Sequence, residues 1–172
     1  MKIFLDMDGV IANFDKAYSA IYGLNARDDP DKSHWYEFVD NNGFETLEWM
    51  PGGQDLINYL TNNYTVEILS CIGNRSNAKN VAAQKMRWLS SKQFGHLPTN
   101  FEYEKKDKSK FAKFGILIDD STGCVEPFRE AGGIAIQHKS YEQTLQELKC
   151  IMSKKDVRNN RDERLYYTPW ND

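Results

Sequence analysis

Five short apolar runs, separated by stretches with helical spacing, constrain this chain more than any other feature. They occupy residues 2–5, 64–69, 100–103 (the weakest), 115–118 and 133–136. Runs of this kind lack the apolar–polar alternation of a half-solvated strand and belong in a sheet covered on both faces. Strands that alternate with helices build βαβ units and a largely parallel sheet. The intervening helices are expected over 53–62, with Leu56, Ile57 and Leu60, and over 76–92, with Val81, Met86 and Leu89. A short one is expected over 126–131, and another over 141–152, with Leu145, Leu148, Ile151 and Met152. The fold class is therefore α/β.

One stretch breaks the rhythm. About 40 residues separate the first strand from Pro51, more than one crossover helix requires, so a small, mainly helical cap is expected here. It begins with a helix around 12–22, continues through a polar loop over 25–33 and turns aromatic at Trp35, Tyr36, Phe38, Phe44 and Trp49. Pro51-Gly52-Gly53 reads as the hinge back into the main domain. The division is 1–14 with 52–152 for the core, 15–51 for the cap and 153–172 for a C-terminal tail. The tail alternates charges and then ends Tyr-Tyr-Thr-Pro-Trp, an aromatic end expected to dock on its own chain, with a homodimer as the alternative.

Charge narrows the partners. With 22 basic against 25 acidic residues the net charge is -3, so no basic field exists to hold a polynucleotide. The three cysteines are dispersed and form no Cys-x-x-Cys, which argues against a zinc site or a disulfide scaffold and for a reducing compartment. The opening apolar run is too short for a secretory signal, and no stretch approaches a membrane span. A cytoplasmic protein acting on a small molecule, with neither membrane nor polynucleotide partner, is the expectation.

The chemistry is expected at strand ends, where ligands bind in open α/β sheets. Asp6-Met7-Asp8-Gly9 closes the first run, and its two carboxylates can point to the same side. Such a pair repels by about 1–4 kcal/mol at about 4 Å, a cost that a divalent cation removes; Mg²⁺ favours one or two carboxylates, waters and a phosphate oxygen. Asp-x-Asp-Gly also occurs in ordinary turns. It is not an EF-hand loop, because Ile11 and Ala17 stand where glycine and glutamate are required. A second acidic pair, Asp119-Asp120, follows another apolar strand and can complete a metal site with the first. Ser70 follows the strand at 64–69, and its hydroxyl with the next backbone N–H, that of Cys71, can hold a phosphate oxygen. Among Lys105, Lys106, Lys108 and Lys110, one can offer a compact positive charge to a phosphoryl group.

In this order the four elements resemble the haloacid dehalogenase (HAD) superfamily of phosphotransferases, over residues 1 to about 138. DMDGVIANF, LEWMPG and ILIDD are similar to the 5'(3')-deoxyribonucleotidase branch in particular. Ser70-Cys71-Ile72-Gly73 departs from that branch, which often has Thr-Ser-Pro, and the cap and the last 20 or so residues match it poorly. The resemblance implies a Rossmann-like sheet with helices on both faces and a cap inserted after the first motif.

It also implies roles. Asp6 is the nucleophile that forms an aspartyl-phosphate, and Asp8 is the general acid, then base. Mg²⁺ is held by Asp6, the Asp8 carbonyl and Asp120, with Asp119 acting through water or behind them. Ser70, the Cys71 N–H and Lys108 hold phosphate oxygens, with Lys110 and then Lys106 as alternatives to Lys108. A thiol-nucleophile role for Cys71 is the lesser reading, because no histidine is near it in sequence. Phe14 and Trp35 are candidates for a nucleobase wall, ahead of Phe44 and Trp49, and Arg75 for a phosphate or base edge. The expected activity is Mg²⁺-dependent hydrolysis of nucleoside monophosphates. Alternatives are another small phosphate ester, such as a sugar phosphate, and a receiver-type phosphoacceptor module.

Overall fold

The computed structural model describes residues 2–73 and 75–165, with the helical backbone alone for 155–165. Five strands, β1 (Lys2–Leu5), β2 (Thr65–Cys71), β3 (Thr99–Glu102), β4 (Ile116–Asp119) and β5 (Ile134–Gln137), form one sheet in the order β3-β2-β1-β4-β5. Every pairing is parallel, and Leu5 lies opposite Ile68 on one side and Ile118 on the other. The helices are α1 (Phe14–Tyr22), α2 (Lys32–Asp40), α3 (Gly53–Asn63), α4 (Ala78–Ser91), α5 (Thr122–Glu130) and α6 (Tyr141–Leu165), with 3-10 turns at Gly43–Thr46 and Lys105–Phe111. This is the Rossmann-like α/β architecture. Among the described residues, no helix is long and apolar enough to cross a membrane.

Successive strand residues face opposite sides, and each side has its own core. Ile3, Leu5, Ile68, Ile116, Ile118 and Ile136 pack with residues of α3, α4, α6 and the 15–51 segment. Phe4, Leu69, Leu117 and Ala135 pack instead against Cys124, Val125 and Phe128 of α5. Both faces are covered, which is why the strands read as unbroken apolar runs.

Several boundaries differ from the sequence expectation. β2 runs on through Ser70 and Cys71, which pair with Phe101 and Glu102 of β3. α5 starts four residues earlier than the expected 126: Ser121 precedes it, and Cys124, Val125 and Phe128 are its buried stripe. Pro127 lies inside that helix and, with Gly123, disguises its start. α6 continues without a break from Tyr141 to Leu165, so the first part of the charged tail is helix. The aromatic end, residues 166–170, lies outside the described residues.

Segment 15–51 holds most of α1, then α2 and the first 3-10 turn. Most of its aromatic side chains pack on one another. Phe14 stacks on Phe44 with centroids 5.2 Å apart, and Phe38 meets Phe44 edge-on at 5.4 Å. The expected polar loop is organised by Asp29, which is buried and accepts from Tyr18 Oη (2.8 Å), the Asp31 N–H (2.8 Å) and His34 Nδ1 (2.8 Å). α4 holds this segment to the sheet. Buried Gln84 accepts from the Phe44 N–H (3.1 Å) and donates to the Val39 carbonyl (2.6 Å), while Trp88 Nε1 donates to the Leu47 carbonyl (2.8 Å). Gly53, at the start of α3, lies so close to the loop after β1 that a Cβ there would come within 2.9 Å of Ile11 main-chain atoms. That contact needs glycine.

Candidate active site

The loop after β1 is wound tightly around one carbonyl: Met7 O accepts from the N–H groups of Val10 (3.2 Å), Ile11 (2.9 Å) and Ala12 (2.8 Å). Gly9 turns the chain at φ +78°, and a Cβ there would lie 2.5 Å from Asp120 Oδ2. This winding sets Asp6 and Asp8 at the carboxyl end of β1, next to the end of β4, where the strand order reverses direction. Asp6, Asp8, Ser70, Cys71, Lys108 and Asp120 all line one cavity of about 180 Å³, with Phe14 and Arg27 at its outer side. Asp119 is fully buried behind them.

Three carboxylates crowd together. Oxygens of Asp6, Asp119 and Asp120 all lie within 4.8 Å of one another. Lys108, also fully buried, counters part of this charge: its Nζ donates to Asp119 Oδ2 at 2.6 Å and lies 3.0 Å from Asp6 Oδ1. Burial alone would favour neutral lysine, but Asp6 and Asp119 outweigh it and hold Lys108 firmly charged. Of the other lysine candidates, exposed Lys106 pairs with Glu104 (2.9 Å) and exposed Lys110 with Glu102 (2.9 Å), away from the cavity. Lys105 does line the cavity, where it donates to Ser121 Oγ (2.8 Å).

A residue outside the sequence candidates braces the cavity lining without itself belonging to it. Lys85, on α4 and 1 % exposed, donates to Asp8 Oδ2 (2.7 Å), Ser70 Oγ (2.9 Å) and the Cys71 carbonyl (2.8 Å). An ammonium group only donates, so Ser70 is the acceptor in that bond and keeps its own O–H for an acceptor in the cavity. A signal for Lys85 did exist. Val81, Gln84, Lys85, Trp88 and Leu89 follow the i, i+3, i+4, i+7, i+8 spacing of a buried stripe, and two of the five are polar.

The two carboxyls of the first motif are pushed apart electrostatically. Burial raises the Asp6 pKa, but Lys108, then Lys85, and hydrogen bonds outweigh it, leaving Asp6 below the ordinary range. Burial dominates at Asp8, which Lys85 offsets only in part and Asp6 reinforces, so Asp8 sits above that range. Burial, then Asp6 and Asp119, push Asp120 up to about 7. A hydrogen bond with Cys124 draws the Cys71 thiol down, while Cys124 itself is driven up.

These residues fit a hard divalent cation. The donors are all carboxylate oxygens; Asp6 Oδ1 faces only the Lys108 ammonium at 3.0 Å, and among the described residues Asp8 Oδ1 is buried without a hydrogen-bond partner. A consequence for stability follows. With its folded pKa raised from 3.8 to about 7, Asp120 keeps a proton that the unfolded chain releases, so the metal-free fold loses stability as pH rises between those values. Mg²⁺ is therefore expected to raise the melting temperature more at about pH 7.5 than at about pH 5. An equal increment at both pH values, measured by calorimetry, contradicts a carboxylate cation site.

The cap candidates occupy different surroundings. Phe14 faces the catalytic cavity while stacked on Phe44. Phe44 is buried, and Trp49 packs edge-on against Trp88 (4.9 Å), next to Phe94. Trp35 and Arg75 line a second cavity, with the Arg75 guanidinium 5.1 Å above the indole ring.

No protein-family model matches the sequence, and no curated protein matches it either. Solved structures do. A hydrolase from Streptococcus pneumoniae TIGR4 is similar over 86 % of this chain and 97 % of its own, at 13 % identity and a TM-score of 0.50. A haloacid dehalogenase-like family hydrolase from Streptococcus pneumoniae is similar over 78 % of this chain and 82 % of its own, at 13 % identity and a TM-score of 0.51. The chain thus has the fold of haloacid dehalogenase-like hydrolases.

Proposed function

We propose that this protein is a Mg²⁺-dependent phosphomonoesterase that works through an aspartyl-phosphate on Asp6, with (deoxy)ribonucleoside monophosphates as the substrate class. The observation that carries the reading is the electrostatic split between Asp6 and Asp8 beside one cavity. Paired carboxyls whose surroundings push their pKa values apart suit different roles, the lower one as the anion and the higher one as the proton carrier. Asp6, the lowered partner, attacks phosphorus. Asp8, the raised partner, carries the proton that passes to the departing ester oxygen as the P–O bond breaks. Asp8, now a carboxylate paired with Lys85, takes a proton from water, and the resulting hydroxide displaces phosphate from Asp6. Both carboxyls return to their starting states.

Lys108, the Ser70 hydroxyl and the Cys71 N–H would bind phosphate oxygens, a reading supported by the three residues lining one cavity with Asp6. Asp6, Asp120 and the Asp8 carbonyl would hold Mg²⁺, with Asp119 behind. The cation would supply neutralisation of charge between nucleophile and phosphate. Phe14 supports the nucleoside assignment as an apolar wall over the cavity. The deciding experiment is phosphate release, with and without Mg²⁺, across ribo- and deoxyribonucleoside monophosphates, sugar phosphates and p-nitrophenyl phosphate. Release from nucleotides above the sugar phosphates is expected. A stable acyl-phosphate with no second turnover points instead to a phosphoacceptor module.

A further inference from the structure

We propose that the substrate carries a second anionic group, and that it seats between Arg27 and Arg75 in the cavity beside the catalytic one. This rests on the phosphomonoesterase reading and revises its substrate class from monophosphates to phosphate esters with a second phosphate or carboxylate, such as nucleoside bisphosphates. The second cavity, about 260 Å³, is lined by Ala26, Arg27, Trp35, Gly73 and Arg75. Arg27 is also part of the catalytic cavity wall, so the two spaces meet at its side chain. Gly73 follows the phosphate-binding end of β2 by two residues, and nothing lies within 4 Å of where its Cβ would be.

The charge of this space is one-sided. Its charged side chains are two guanidinium groups. Asp15, which lines the first cavity, stands 3.7 Å from Arg27, and that pair is solvent-exposed on both sides (65 % and 51 %), so it neutralises little. Arg75 makes no ion pair among the described residues, and its Nη1 is buried with no hydrogen-bond partner. A buried guanidinium N–H left unpaired is costly, and an acceptor brought by a ligand removes that cost.

A neutral nucleobase fits this wall less well than an anion. Arg75 already covers a face of the Trp35 ring, and the indole N–H is committed to Asn77 Oδ1 at 3.2 Å. Among the described residues Asn77 Nδ2, next to this wall in sequence, is another buried donor without a partner. Ionised phosphate or carboxylate oxygens only accept and carry charge opposite to the two guanidinium groups, whereas a base edge is neutral and mixes acceptors with donors.

The test compares matched esters that differ by the second anion: a nucleoside 5'-monophosphate against its 3',5'-bisphosphate, and ribose 5-phosphate against ribose 1,5-bisphosphate. A phospho-carboxylate and its amide form a third pair, which separates carboxylate from phosphate recognition. The second anion is expected to raise kcat/KM by about tenfold to a hundredfold, the worth of one or two charge-assisted hydrogen bonds. That ratio should collapse toward one in R75Q and fall in R27Q, whatever each change does to the mono-anionic partner. Arg27 is on the surface, so R27Q tests the ratio without disturbing buried packing. A wild-type ratio near one in every pair, or a ratio untouched in both variants, overturns the second-anion subsite while p-nitrophenyl phosphate is still hydrolysed. Failure to hydrolyse any ester, p-nitrophenyl phosphate included, overturns the phosphomonoesterase reading itself.

Discussion

Replacing Asp6 by asparagine is expected to abolish phosphate release and to lower the melting temperature of the metal-free protein by a few degrees. Loss of a nucleophile costs about 10⁴-fold or more in kcat where no other group can attack. The fold survives because Lys108, the buried cation, keeps its 2.6 Å bond to Asp119. The fall has its own cause. Asp6 is held ionised below the ordinary carboxyl range by Lys108 and Lys85, so its charge stabilises the fold at neutral pH. Asparagine gives up that attraction, and the loss exceeds the relief of repulsion at Asp120, for an expected fall of about 2–4 °C. Single-turnover assays and calorimetry check both halves. Turnover near the wild-type rate in Asp6→Asn removes Asp6 from the chemistry.

Lys85→Met is expected to produce the second-largest effect, and a different one. Methionine keeps most of the volume but removes the bonds to Asp8, Ser70 and the Cys71 carbonyl. Asp8 then has burial and Asp6 raising its pKa with its closest opposing charge gone. A carboxyl held protonated still serves as the acid in the first half-reaction, but it fails as the base in the second. The expected result is a fall in kcat of about 10²–10³-fold, the range general base catalysis contributes. A burst of the alcohol product before a slow steady rate accompanies it, and the pH profile moves upward. The melting temperature falls as well, since half-buried Asp8 loses its partner. Turnover within a few-fold of wild type, with no burst, would reduce Lys85 to a structural cation.

The fold was legible because strand burial writes itself into composition. A strand covered on both faces can afford only apolar residues, so all five strands could be placed from their runs, even the weak one at β3. The acids at the ends of β1 and β4 were legible for a related reason: a carboxylate directly after an apolar strand has no packing role there. Helix ends were harder. Pro127 and Gly123 in α5 are helix-breaking residues whose cost is overridden by the packing of Cys124, Val125 and Phe128, which no local pattern reveals. Lys85 was harder still, being separated from Asp8 by 77 residues along the chain. The apparent aromatic pocket also needed the structure. Phe14, Phe38 and Phe44 spend much of their surface on one another, as a segment of this size requires for a core of its own.

Gln84 and Lys85 are neighbours on α4, and they face different tasks. Gln84 holds the main chain at Val39 and Phe44, and Lys85 holds Asp8 and Ser70. Residues 15–51 are therefore not an interchangeable module. A chimera that grafts a foreign segment between Asn13 and Gly52 would have to present a main-chain carbonyl and amide at the two places Gln84 grips, and where it did not, the register of α4 would be free to slip. Since Lys85 is the next residue, that slip would reach Asp8 directly. Exchanging specificity between relatives of this protein thus means transplanting α4 together with the cap, as one inheritable unit.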